Sequence, residues 1–169
     1  IFMLAFVGFG IKAGFVPFHN WLPDAHPAAP SHVSAVMSGV MIKTGLYGIL
    51  RVLFMLGTPT KCVAYIVFIV ALVTALYGIL YALAQRDLKK LLAYSSIENI
   101  GIIGLGIGLG MIGLAYGNPL VAMLGFAGGI LHILNHSIFK ELMFFGAGSV
   151  YNKTHTRDME VLGGLIKKM

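Results

Sequence analysis

From Cys62 to Ala84 the chain runs without a charged side chain, and the stretches 31–55, 91–115 and 120–148 carry only a few. A bilayer core about 30 Å thick is crossed by roughly 20 mainly apolar residues in a helix. Only structures that satisfy their own backbone hydrogen bonds survive there. The fold class this implies is all-α: a polytopic bundle of transmembrane helices. Composition excludes the soluble alternative, because 58% of the residues are hydrophobic and 11% charged, whereas soluble domains have about 45–50% and about 25%. A single cysteine, Cys62, leaves no disulfide framework or cysteine-bound cluster within the chain. The formal charge of +6 is spread between apolar runs and forms no nucleic-acid patch.

About five spans are expected. The first runs from before Ile1 to about Val16, where Pro17 breaks the helix; the others cover about 31–55, 62–84, 91–115 and 120–148. Gly57-Thr58-Pro59 and Gly117-Asn118-Pro119 mark two of the connections. Trp21 and Tyr151 are candidate interfacial anchors. Glycines 101, 104, 106, 108, 110 and 113 suit close helix packing. Arg86, Lys89, Lys90, Lys153, Arg157, Lys167 and Lys168 fall on one side of the spans, together with the stretch 18–30. The positive-inside bias puts the loop 85–90 and the tail 149–169 in the cytoplasm of a multi-pass inner-membrane protein. The chain starts inside an apolar run and stops where another segment begins, as an internal fragment of a longer polypeptide would.

Charged residues inside the spans point to function. Lys43 lies about 12 residues from either end of its span, or about 18 Å at 1.5 Å per residue. A charge there costs about 2.5–3.5 kcal/mol on insertion scales. Lys12 precedes the break at Pro17, and broken helices in a membrane line cavities or lie buried in protein. His132, His136 and Lys140 recur every four residues and share one helix face. The glutamate of an HExxH zinc motif is absent, so a proton relay suits them better than a metal. Glu141 points about 100° away from that face and is expected to pair elsewhere or reach for the interface. Glu98, with Ser95, Ser96 and Asn99, forms a polar band in an apolar helix. Structural readings stand beside these: lysines tied to carbonyls for packing, an ordinary end-of-helix Lys12, interhelical hydrogen bonds around Glu98. Six titratable groups at membrane depth (Lys12, Lys43, Glu98, His132, His136, Lys140) favour a hydrated proton path.

Three segments carry a family likeness. KAGFVPFHNWLPDAHPAAPSHVSAVMSGVMIKTGLYGILRV (12–52), RDLKKLLAYSSIENIG (86–101) and HILNHSIFKELMFFGAGSVY (132–151) resemble, in order, the antiporter-like subunits. These occur in respiratory complex I, Mrp-type sodium/proton antiporters and group 4 hydrogenases, and the likeness is strongest to the hydrogenase-4 and formate hydrogenlyase members. The resemblance implies that residues 1–169 are one membrane domain within a fold of about fourteen helices. Residues to about 55 would end one inverted repeat, and 61–148 would begin the next. It also implies that Lys12, Lys43, His132, His136 and Lys140 carry protons. Where many complex I relatives have Ser-His or Ser-Gln, this chain has Glu98-Asn99, as hydrogenase-type relatives do.

The function this implies is a proton-translocating subunit of a redox-driven complex. Burial disfavours a charged lysine and a nearby carboxylate favours it, so moving or neutralising that partner drives a proton onward. No cofactor and no metal are expected on this chain. The expected partners are the lipid bilayer, other membrane subunits, and a peripheral redox arm carrying iron–sulfur clusters, a nickel-iron hydrogenase among its forms. The alternative is a subunit of a secondary Mrp-type sodium/proton antiporter. A purely structural scaffold is the third reading; it would leave transport unchanged when the intramembrane lysines are replaced.

Overall fold

The computed structural model describes residues 1–165; Lys167 and Lys168 lie outside the described residues. Each long apolar stretch forms a helix. After α1 (Phe2–Ala13) and a short α2 (Trp21–Ala28) comes a rod from Ser31 to Leu56. It consists of α3 (Ser31–Val36), one π-helical turn (Met37–Met41) and α4 (Ile42–Leu56). Then follow α5 (Lys61–Leu83), α6 (Leu88–Ala115) and α7 (Pro119–Thr154). The rod, α5, α6 and α7 are long and apolar enough to cross a bilayer, and α1 is a shorter apolar helix of 12 residues. Together they account for the five expected segments.

Local chemistry moves several boundaries. Helix α1 stops at Ala13, ahead of Pro17, because Gly14 takes a left-handed conformation (φ 92°) and both Gly14 N–H and Phe15 N–H donate to Gly10 O. That pattern closes a helix C-terminus without help from proline. The indole of Trp21 donates to Ile11 O at 2.9 Å and so satisfies a carbonyl at the end of α1. Val16 N–H donates to Thr74 Oγ1 at 3.1 Å and stitches the break to α5. Helix α6 begins at Leu88, earlier than expected, because Asp87 Oδ1 accepts from Lys89 N and Lys90 N at 2.8 and 3.0 Å. Lys89 and Lys90 therefore belong to the first helical turn and not to a loop. Asn118 caps α7, with Pro119 in its first turn.

Helix α6 is the central element, packed between α5 and α7. Its glycines divide between two faces. Gly101, Gly104 and Gly108 meet Ala71, Ala75 and Phe68 of α5, while Gly106, Gly110 and Gly113 meet Gly129, Phe126 and Ala122 of α7. Absence of side chains lets the backbones approach closely, the usual means of packing helices where lipid gives no hydrophobic drive. Ile97, Ile100, Ile103, Ile107 and Met111 fill the remaining space with Ile42, Leu46, Ile49 and Leu53 of α4. Helix α1 packs on α4, α3 on α7, and α2 on α6.

One end of the bundle gathers the basic segments. Leu88 N–H donates to Arg157 O and Met159 N–H to Arg86 O, and Arg157 pairs with Asp87 at 3.3 Å. Arg157 also donates to Pro27 O at 2.7 Å. The loop before α6, the start of the tail and the end of α2 thus share one end, as their charges suggested.

Gly106→Ala is expected to lower the stability of the detergent-solubilised full-length subunit by about 1–3 kcal/mol, since its Cβ would meet Gly129 Cα at 2.8 Å. Gly128→Ala, whose Cβ meets nothing within 4 Å, is expected to leave the thermal midpoint in place.

Candidate functional site

The π-turn of the rod and the polar band of α6 meet at the centre of the bundle. Single π-turns inside α-helices are rare and recur at functional sites. Two carbonyls of this one take side-chain donors: Lys43 Nζ donates to Ser38 O, and Ser137 Oγ of α7 donates to Gly39 O at 2.7 Å. Ser38 Oγ lies 2.8 Å from Ser96 Oγ of α6, and Ser96 Oγ also lies 2.9 Å from Leu92 O. The same Leu92 carbonyl accepts from Lys140 Nζ at 3.1 Å. Lys43 and Lys140 are therefore joined through Ser38, Ser96 and Leu92, by contacts between three helices. Both lysines are buried, Lys140 completely (0% exposed).

The histidines continue this row along α7. Asn99 Nδ2 donates to Ser95 O at 2.7 Å, which turns its Oδ1 towards His132 Nε2, 2.9 Å away. His132 therefore donates through Nε2 and keeps Nδ1 as its acceptor. Its ring centre lies 6.3 Å from that of His136. His136 is fully buried, and neither of its nitrogens has a hydrogen-bond partner among the described residues. Lys140 follows one turn later.

The structure brings five of the six expected residues into one region: Lys43, Glu98, His132, His136 and Lys140. Glu98 is half-buried, with Ser95 Oγ 3.5 Å from its carboxylate, and its charge acts on both His132 and Lys140. Its backbone packs over Gly78 of α5. Lys12 stands apart, exposed in the last turn of α1, and makes none of these polar contacts. Pro17 lies in the break but does not terminate the helix.

Several participants were not legible beforehand. Ser38 reads as a small residue in an apolar run, yet it bridges the two lysines. Glu141, expected to pair elsewhere or reach for the interface, instead lays its carboxylate directly over Gly39 of the π-turn, in space a Cβ would fill, and its charge acts on Lys43. Lys89 is buried and donates to Ala29 O at 2.8 Å. His26 of α2 is fully buried, stacks on Phe144 with ring centres 4.8 Å apart, and has no hydrogen-bond partner on either nitrogen among the described residues. Burial, reinforced by Lys140, Lys89 and Lys43, lowers its pKa to about 4. The available sequence signal was the short run WLPDAH, apolar enough to pack and too short to span. Beside Lys43, a groove of about 590 Å³ lined by Tyr47, Phe54, Ile130, Ile133 and Ser137 opens on the bundle's flank.

Membrane-spanning helices with lysines and histidines buried across their middle define an integral membrane bundle built around intramembrane titratable groups. The chain belongs to the family described as "NADH:quinone oxidoreductase/Mrp antiporter, TM", which it matches over residues 1–169. It is 51% identical to "Hydrogenase-4 component B" of Escherichia coli K12, covering 100% of this chain and 26% of that protein. To "Formate hydrogenlyase subunit 3" of the same organism it is 44% identical, covering 100% and 28%. To "NADH-quinone oxidoreductase subunit M" of Rickettsia bellii it is 36% identical, covering 97% and 31%. The chain thus spans between a quarter and a third of the length of these relatives.

Among solved structures, a chain of the archaeal membrane-bound sulfane sulfur reductase superposes with a TM-score of 0.82 at 35% identity, over 99% of this chain and 28% of that one. A chain of the Mrp complex from Dietzia sp. superposes with a TM-score of 0.84 at 28% identity, over 98% and 29%.

Two outcomes are expected. Ser96→Ala removes the hydroxyl between the lysines and strands Ser38 Oγ, which costs about 1–3 kcal/mol for an unsatisfied buried group, read by thermal unfolding of the full-length subunit. The second concerns pH. His26 has a folded pKa below its unfolded value, so the unfolded chain binds this proton first and folded stability falls as pH drops from about 6.5 towards 4. His26→Gln is expected to flatten that part of the pH–stability curve.

Proposed function

We propose that this chain is the proton-translocating core segment of a membrane subunit in a redox-driven complex, of the hydrogenase type. The observation that supports it best is the chain of polar contacts joining the buried ammonium groups of Lys43 and Lys140 through Ser38, Ser96 and Leu92 O. A backbone carbonyl is well suited to hold a lysine that gains and loses a proton. It carries no net charge, and a neutral amine still has a hydrogen to donate to it. A directly bonded carboxylate would favour the charged form strongly. Here the carboxylates of Glu98 and Glu141 stand beside the lysines and bias their charge without fixing it. His132 and His136 extend the row, each imidazole able to take a proton at one nitrogen and release it at the other.

In this reading the proton-carrying residues are Lys43, Glu98, His132, His136 and Lys140. Lys12 at the helix break joins them through parts of the subunit beyond this segment. The chain itself carries no cofactor and no metal. Electron transfer belongs to a peripheral arm with iron–sulfur clusters, a nickel-iron hydrogenase in the favoured form, and other membrane subunits complete the complex. The segment lies in a bacterial inner membrane with the loop before α6 and the tail after α7 facing the cytoplasm. The 51% identity to hydrogenase-4 component B favours this type. The superposition on a chain of the Mrp complex supports a second reading, a sodium/proton antiporter subunit working without redox partners.

The test is proton uptake by inverted vesicles carrying the full-length complex. With assembly and electron flux verified, Lys43→Ala is expected to reduce uptake at least about tenfold, the loss that 1.4 kcal/mol or more on the limiting step would produce. Uptake equal to wild type would remove Lys43 from the path. Sodium-dependent exchange without electron flux would select the antiporter reading.

A further inference from the structure

Below Lys140 the row does not end at a wall of apolar side chains. One turn further along α7, Phe144 is fully buried, and the ring of His26 lies stacked on it at an interplanar angle of 20°. Stacking occupies the faces of an imidazole and leaves both nitrogens free at the ring edge. These nitrogens are buried and without protein partners among the described residues. A buried polar group in that state loses the hydrogen bonds it has in water and calls for an explanation, of which water or a transient proton partner is one. The cations whose fields act on this ring are Lys140 and Lys43 on the interior side and Lys89 of α6. Lys89 itself donates to Ala29 O, just beyond the end of α2. Within one residue of His26, Pro27 O accepts from Arg157, which also pairs with Asp87 at the bundle end. A polar cleft of about 570 Å³ opens there, lined by Pro27, Ala29, His32, Lys89, Asn152 and Arg157.

We propose that His26 is a proton-carrying residue that connects Lys140 to the cleft at the basic end of the bundle. This rests on the proton-translocating reading above. In the direction of uptake, protonated water in the cleft gives one proton to the free nitrogen of neutral His26. The imidazolium then gives its other ring proton to the neutral amine of Lys140, directly or through one water, which becomes an ammonium, and the ring is left as the opposite neutral tautomer. A flip of the ring resets it. Charge and protons balance at each step, and no redox change occurs. Burial keeps the ring neutral at rest, as a relay needs if it is not to trap the proton it passes. Short helix α2 thereby has a role beyond closing the gap between α1 and the rod: it carries an imidazole into the bundle at the depth where α7 has no further titratable residue facing inward.

The test uses the full-length complex in inverted vesicles, with assembly and electron flux measured, and compares His26→Gln with His26→Glu. The two side chains have the same size, but only glutamate exchanges a proton in the working range. Uptake at least about tenfold lower in the Gln variant than in wild type, partly restored in the Glu variant, is the expected result. Gln and Glu variants with equal uptake, or a Gln variant within about twofold of wild type, would overturn the proposal. If the Glu variant fails to assemble, the Gln variant decides alone by the same threshold. Lys43→Ala measured in parallel separates the two claims. Loss there with full uptake in His26→Gln sinks this route and leaves the function standing, whereas full uptake in both removes Lys43 as well as His26 from the path and takes away the contact that best supports the functional reading.

Discussion

Two ammonium groups in the middle of the bundle are each held by a backbone carbonyl, Ser38 O and Leu92 O, and a single pair of serine hydroxyls ties those carbonyls' segments together. Everything else is arranged to make that possible. Lipid offers no hydrogen-bond partners, so a lysine at this depth needs a donor–acceptor set supplied by protein. A carbonyl oxygen has two lone pairs, so a helix can lend one to a side chain. In the π-turn at Met37–Met41, Ser38 O takes Lys43 and Gly39 O takes Ser137, while in α6 Leu92 O accepts Ser96 and Lys140 together.

The second requirement is close approach. The serines meet only because α6 lies near both the rod and α7, and its glycines set that distance against α5 and α7. Gly39 does the same for the π-turn, since its bare Cα is where the Glu141 carboxylate rests. The result places two carboxylates near the lysines without a direct ion pair. Charge on one group is felt by the next, while each remains free to change its protonation state.

The break after α1 illustrates how far sequence patterns reach. Pro17 signals an interrupted helix, and the interruption is real, but Gly14 ends the helix by its left-handed cap and Trp21 satisfies Ile11 O. Likewise the acid at position 87 reads as a loop charge, yet it caps α6 and draws Lys89 into the helix, where its ammonium is buried. In both cases the residue types announced the event, and the hydrogen bonds fixed its position. His26 shows the opposite limit. It sits in a stretch too short and too polar to span, and nothing local distinguishes a solvated histidine from one stacked under α7.

Hydropathy along the chain is enough to make it a bundle of membrane helices, to place those helices to within a turn or so, and to put lysines, a glutamate and histidines at membrane depth. Those conclusions depend on local hydropathy and on the cost of burying charge, which neighbours in sequence already reveal. Tertiary structure alone decided which of these groups meet. It joined Lys43 to Lys140 through Ser38 and Ser96, set Glu141 on the π-turn, left Lys12 aside and brought His26 under Lys140's helix. The reason is physical: contacts between helices depend on rotation and separation of whole rods, and these are set by glycines and a π-turn whose effects appear only when the helices pack.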